Sequence, residues 1–149
     1  MLHPAPTSKI DPALARGTLA ELVPATATTP AYAVITFANT SYRTHLVPTD
    51  EITSPVGKRI IGTIQARARR VDLVSTGGRY VEPVFGRPRR IQGSVLAHFE
   101  DTNTILVNAG MPIHCELTDT RQRPADFPLG EIVSFDTMAG ASFTPQPPA

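Results

Sequence analysis

Hydrophobic and polar residues alternate along most of the chain after residue 31, which is typical of β-strands with one buried face. In the segment RIIGTIQA, residues 59–66, the alternation places isoleucine, glycine and alanine on one side and mostly polar residues on the other. The chain also holds 10 Gly and 15 Pro, which favour turns and short strands over long helices. Further strands are predicted within residues 31–47 (with a bend at Asn39), 90–99, 112–119 and 131–136.

The first thirty residues are rich in Pro, Ala and Thr and lack this alternation. One short helix is predicted there, over residues 11–22, with Asp11 as its N-cap and Pro12 at its first position. Whether the segment is a mobile arm or a peptide that docks on a partner stays open. The predicted organisation is an extended N-terminal arm, a β-domain and a Pro-rich tail, over residues 1–30, 31–144 and 145–149.

An eight-residue segment occurs twice, as RIIGTIQA at 59–66 and as RIQGSVLA at 90–97. Four positions are identical, and the alternation has the same phase in both copies. Each copy is followed by a second apolar stretch, VDLVS or TILVN, and then by a glycine turn. The repeat therefore predicts two β-hairpins of similar build, with the glycines of TGGR (76–79) forming the turn of the first.

About seven short strands with this spacing predict a small antiparallel barrel or sandwich. A glycine inside a strand permits the strong bend that barrel closure requires, and Gly62 and Gly93 hold that position. The succession of glycine-containing strand, hairpin, irregular link and final LGEIVSF strand resembles an oligonucleotide/oligosaccharide-binding (OB) barrel. The resemblance covers about residues 58–144 and is architectural, without a diagnostic motif.

Positive charge is concentrated in one third of the chain, although the formal net charge is only +1. Residues 58–90 carry nine basic and two acidic side chains, whereas residues 91–149 carry two basic and seven acidic ones. Like charges this close together repel one another, so an anionic partner is expected. Guanidinium groups bind phosphates and carboxylates equally well, and the sequence does not separate the two.

Two functions follow from this segment, beside the possibility that its charge is solvated or neutralised within the molecule. The first is a non-catalytic module that binds single-stranded nucleic acid, with arginines on the phosphates and two aromatic rings on the bases. The second is a structural or self-assembling domain, in which the arm or the basic face docks on another protein subunit. The candidate nucleic-acid-binding residues are Arg59, Arg67, Arg69, Arg70, Arg79, Tyr80, Phe85, Arg87, Arg89 and Arg90.

The sequence does not indicate catalysis, a metal or a cofactor. His114 and Glu116 share one face of a predicted strand, but surface histidines are far commoner than ligands, and paired Cys-x-x-Cys, phosphate-binding and nucleophile motifs are missing. Cys115 lies on the apolar side of the same strand and is predicted to be a small buried hydrophobe. We therefore expect neither an enzyme nor a cofactor-binding protein.

The N-terminal residues hold no continuous apolar run, which argues against a signal peptide or a membrane span. A single cysteine rules out an intramolecular disulfide framework, as is usual in a reducing compartment. A cytoplasmic location without a membrane partner is the expectation.

Overall fold

The computed structural model describes residues 11–146, which contain eleven β-strands and two short 3-10 helices. The prediction of an all-β protein is confirmed. The 3-10 helices are Glu100–Thr102 and Pro124–Asp126. The strands are β1 (Ala15–Val23), β2 (Tyr32–Phe37), β3 (Arg43–Pro48), β4 (Arg59–Val74), β5 (Tyr80–Glu82), β6 (Phe85–Gly86), β7 (Arg90–Phe99), β8 (Thr104–Asn108), β9 (Pro112–Leu117), β10 (Ile132–Thr137) and β11 (Ser142–Pro145).

The strand pairings form two closed circuits that share β4. The first circuit runs β1-β2-β3-β11-β4 and returns to β1, and the second runs β7-β8-β9-β4-β10 and returns to β7. Each consists of an antiparallel meander of three strands, one parallel contact and two antiparallel contacts that close the circuit. The first half of β4 serves one circuit and its second half the other, which accounts for its 16 residues.

The sheet is mixed, so the prediction of a purely antiparallel arrangement is wrong. Three pairs are parallel: β3 with β11, β3 with β6, and β4 with β9. Parallel partners are joined through long stretches of intervening chain, and local alternation carries no information about such partners.

One apolar core runs through both circuits. The inward residues predicted for β4, from Ile60 to Ala68 at every second position, are buried, as are Val133 and Phe135 of β10. Cys115 of β9 is also buried, as its apolar position predicted. Asn39, between β2 and β3, adopts a left-handed conformation with φ of 63°, which confirms the predicted bend.

Gly62 and Gly93 allow neighbouring strands to approach unusually closely. A Cβ atom at Gly62 would overlap the carbonyl oxygen of Thr144 and the ring of Phe143, both in β11. A Cβ atom at Gly93 would overlap the carbonyl of Asn108 in β8. The two glycines that stand out in the sequence are therefore required by the packing of β4 and β7 against their neighbours.

The predicted helix over residues 11–22 is wrong. Asp11 closes a turn, accepting a hydrogen bond at its carboxylate from the Ala13 N–H, and β1 begins at Ala15. β1 pairs with β2 along one edge and with β4 along the other, and Leu19 is fully buried between them. Residues 1–10 of the predicted arm and residues 147–149 of the predicted tail lie outside the described residues.

The predicted first hairpin is also wrong, because VDLVS continues β4 instead of turning back. The alternation of buried and exposed residues shifts by one position at Arg69 and Arg70. In the structure these two residues form a β-bulge, since Ala68 pairs with Thr137 and Val71 with Phe135. The bulge keeps Val71 on the buried side, and TGGR then leads from β4 to β5, which pairs with β7.

Candidate functional site

The bulge in β4 places two arginines opposite one acidic residue. Arg69 and Arg70 both lie between the pairs that flank Asp136 of β10, and both are exposed. An inserted residue turns side chains that would alternate onto the same side of the sheet. Two guanidinium groups of β4 therefore lie at the surface beside the end of β10.

The acidic residues around the bulge each contact a different arginine. Asp136 accepts a hydrogen bond of 2.8 Å from Arg90 of β7, and Asp72 accepts one of 2.9 Å from Arg70. The hydrogen bond to Asp136, with a smaller contribution from Tyr80, raises the pKa of Arg90, which keeps it charged at any working pH. Within residues 11–146, no carboxylate lies within 4 Å of the guanidinium group of Arg69.

Two adjoining depressions follow the chain from β10 into β11. The first is lined by Arg69, Arg70 and residues 136–139. The second is lined by residues 139–141 and by groups from three other parts of the chain, namely Thr28, Thr29, Pro30, Tyr32, His45, Val47 and Arg87. Ala139 lines both, and we call the combined surface the basic groove, because Asp136, the only acidic residue among 11–146 that lines it, is already bonded to Arg90.

A pair of rings lies in the basic groove beside Arg87. Tyr32 of β2 and His45 of β3 stack with ring centroids 4.6 Å apart and planes inclined by 17°. Desolvation lowers the pKa of His45, an effect that Glu21 opposes and Arg43 reinforces. The imidazole is therefore mainly uncharged at pH 7, and the pair presents neutral aromatic surface next to a cation.

A third depression, with the opposite charge, meets the basic groove at Gly140. Its charged lining residues are three acids and one arginine, Glu100, Asp101, Glu116 and Arg67, and it also holds the stacked rings of Phe99 and His114. We call it the acidic groove. Arg67 forms an ion pair of 3.3 Å with Glu116 across the parallel contact of β4 and β9. Arg67 is thus directed away from the other arginines of β4.

The candidate residues from the sequence divide into those at the basic groove and those away from it. Arg69, Arg70 and Arg87 line the groove, Arg90 holds Asp136 at its edge, and the backbone carbonyl of Arg89 accepts a hydrogen bond from the Thr137 N–H. Arg59 lies at the far end of β4, roughly 33 Å from Arg69 at about 3.3 Å per residue. Away from the groove lining are also Arg67, Arg79, Tyr80 and Phe85.

The two aromatic candidates have other neighbours. Tyr80 is half-buried in β5 and contributes, after Asp136, to the raised pKa of Arg90. Phe85 is 63% exposed, and the guanidinium group of Arg43 lies 5.2 Å from its ring centroid. This cation–π contact occupies one face of the ring.

The histidines of the acidic groove form hydrogen bonds with the backbone. His98 contacts the carbonyl oxygen of Phe127 at 2.6 Å, and His114 contacts that of Ala13 at 3.0 Å. Within residues 11–146, no three His, Cys, Asp or Glu side chains converge in a group that could hold a metal ion. Burial raises the pKa of the Cys115 thiol, so it stays protonated.

Sequence analysis missed Tyr32, His45 and the segment 138–141. The one signal in the sequence is the alternation, which assigns both rings to the outward face of their strands. That the rings meet depends on the register of β2 and β3, and that they lie near Arg87 depends on the path of the chain after β6.

Comparison of the chain with protein-family models, curated proteins and solved structures finds no match. In the part of the chain described here, no helix has the length and apolar character needed to cross a membrane.

Proposed function

We propose that the protein is a non-catalytic module that binds nucleic acid through the basic groove. The observation that carries the proposal is the combination of three lining arginines, of which two have no acidic partner among residues 11–146, with partly exposed aromatic rings in two adjoining depressions. Arg69 and Arg87 have no carboxylate within 4 Å among residues 11–146. Such groups are free to replace the counterions of a phosphate backbone.

The strand order supports a related proposal about architecture, that each circuit closes as a small barrel of the OB type. A three-stranded antiparallel meander, a fourth strand that runs parallel to the last strand of the meander, and a fifth strand that joins the fourth to the first make up a five-stranded Greek-key barrel of this kind. Both circuits have this pattern. OB barrels commonly bind oligonucleotides, so the architecture and the arginine groove favour the same ligand.

The proposal is tested by fluorescence anisotropy with labelled DNA and RNA oligonucleotides at two salt concentrations. The double variant Arg69→Ala/Arg87→Ala should bind about tenfold or more weakly at low salt. Its salt dependence should also fall, by roughly 1.4 in the slope of log K against log salt for two lost contacts with a single strand.

A matched control is the double variant Lys58→Ala/Arg59→Ala. It removes the same charge from exposed positions at the far end of β4. Its affinity should stay within about threefold of the wild type, since distant charges are largely screened. Equal losses in both variants, or no binding by the wild type at low salt, would contradict the proposal.

The contact between the two grooves favours a second candidate function, self-assembly. We propose for this case that two copies associate about a twofold axis near Gly140, the basic groove of one copy facing the acidic groove of the other. The mass measured by light scattering should then rise with concentration, and the variant Glu100→Lys/Asp101→Lys should remain monomeric. A wild type that is monomeric at every concentration excludes this function.

A further inference from the structure

We propose that Tyr32 and His45 form a stacking platform for an unpaired base, so that the basic groove selects single strands. This inference rests on the proposed function and adds the class of nucleic acid and the group that recognises it. Neither ring was a candidate on sequence grounds.

The positions of the rings in the sheet make them accessible. In β2, Ala33 and Ile35 face the core, whereas Tyr32, which has the opposite parity, is only partly buried. In β3 Thr44 and Leu46 are buried and His45 between them is only partly so. The ring pair therefore stands on the outer face of the sheet.

The lining of the second depression brings cation and rings together. Arg87, Tyr32 and His45 line it jointly, with the small residues 139–141 forming the side that meets the first depression. A strand whose phosphates contact Arg69 and Arg87 passes directly by the rings. Small residues at this crossing leave space for a base to lie against them.

The electrostatic state of the platform favours a base over a second phosphate. With the pKa of His45 lowered by desolvation, the pair is mainly uncharged at pH 7. Neutral rings bind bases through their faces, a contact open to every base and worth a factor of roughly 5 to 150 per stacked base. In a duplex the base faces are already covered by neighbouring bases, so only an unpaired base can use the platform.

The acidic groove provides a built-in comparison within the same molecule. It too holds a stacked pair, Phe99 and His114, whose ring centroids are 5.3 Å apart. Glu100 and Asp101 lie beside these rings, where they repel a phosphate chain. The two ring pairs differ in their arginines: Arg67 of the acidic groove is paired with Glu116, whereas Arg87 beside the Tyr32 pair has no carboxylate within 4 Å among residues 11–146.

The experiment measures binding of three labelled probes at pH 7.5 and low salt: a 12-nucleotide oligothymidylate, an abasic sugar–phosphate chain of equal length, and a 12-base-pair duplex. Wild-type protein should prefer oligothymidylate to the abasic chain by about fivefold or more. In the Tyr32→Leu variant this preference should fall to within about twofold, while affinity for the abasic chain is retained. Phe99→Leu, the matched control, should keep the wild-type preference.

The outcomes distinguish failure of the stacking platform from failure of the proposed nucleic-acid binding. Equal wild-type affinity for oligothymidylate and the abasic chain refutes the platform and leaves phosphate binding intact. A preference that survives in Tyr32→Leu, or falls equally in Phe99→Leu, also refutes it. Failure of all three probes to bind the wild type removes the proposed function and the inference together. Thermal unfolding verifies that the variants are folded. If Tyr32→Leu is not folded, the binding measurements are repeated with His45→Ala.

Discussion

At the scale of single residues, the glycines of β4 and β7 show how one missing side chain sets the distance between strands. The space that a Cβ atom would occupy at Gly62 is taken by β11, and at Gly93 by β8. At both positions the nearest atom is a backbone carbonyl oxygen, which cannot move aside as a flexible side chain does. These positions therefore tolerate no larger residue.

We expect Gly62→Ala and Gly93→Ala each to lower the free energy of unfolding by about 1–3 kcal/mol or more, because the added methyl group overpacks a closed site. Gly78→Ala is the control, since a Cβ atom there meets nothing within 4 Å. It should change stability by less than about 0.5 kcal/mol. Urea denaturation measures all three, and similar losses at the three sites would refute the close-approach explanation.

The ionisation of His45 is a second property of one residue. Desolvation lowers its pKa, and the charge of Glu21 partly offsets that effect while Arg43 adds to it. We therefore predict that an NMR titration finds His45 below the value of about 6.5 for a free histidine. Glu21→Gln should lower the pKa further, because it removes the group that favours the charged form.

The same shift predicts how stability depends on pH. Between the folded pKa and about 6.5 the unfolded chain binds more protons than the folded one, so this contribution to stability increases with pH across the window and falls as the solution is acidified. The melting temperature of His45→Asn should accordingly depend less on pH there than that of the wild type. A folded pKa above 6.5 would reverse the sign and contradict the prediction.

At the scale of elements, β1 shows that pairing with distant strands can outweigh the local preference of a segment for a helix. Asp11 and Pro12, which precede β1, are features of a helix start, yet both edges of β1 are hydrogen-bonded to strands. The burial of Leu19 between β2 and β4 compensates for the weak strand propensity of its neighbours.

Two leucines of β1 provide a test of this role. Leu19 is fully buried, whereas Leu22 is 43% exposed. We expect Leu19→Ala to cost about 2–5 kcal/mol of stability, as in other well-packed cores, and Leu22→Ala to cost less than about 1 kcal/mol. Chemical denaturation measures the free energy of unfolding of the two variants. If this segment were an arm that does not pack on the sheet, both substitutions would be nearly neutral.

At the scale of the whole molecule, the sharing of β4 links the two circuits. Neither circuit can close without this strand, and the apolar core extends through both. Loss of one circuit would leave half of β4 without a partner and expose buried backbone groups. The two circuits should therefore unfold together.

We predict a single unfolding transition by calorimetry and by hydrogen exchange. Leu46→Ala, a substitution in the first circuit at a fully buried position, should reduce the protection of slowly exchanging amides in β8, which belongs only to the second. Leu129→Ala, at a 62% exposed position, should leave that protection unchanged. Two separate transitions, or protection in β8 that does not respond to Leu46→Ala, would show that the circuits are independent.

Part of the candidate site followed from composition and spacing. The cluster of arginines in residues 58–90 is visible in the sequence, and Arg69, Arg70 and Arg87 indeed line one groove. Separation of Arg59 and Arg67 from these three depends on strand length and on the neighbour that each strand acquires. Both depend on pairing between segments that are far apart in the chain, and the spacing of residues along the chain does not reveal such pairing.

The sequence by itself determined that the protein is built from strands and which face of β4, β9 and β10 is buried. Those properties arise from the two-residue period of a strand, which any short segment carries. Only the tertiary structure decided that β1 is a strand, that β4 continues through its bulge and that Tyr32 meets His45 beside Arg87. Each of these depends on free energy gained between segments far apart in the chain, where the register of one strand against another sets which side chains come together.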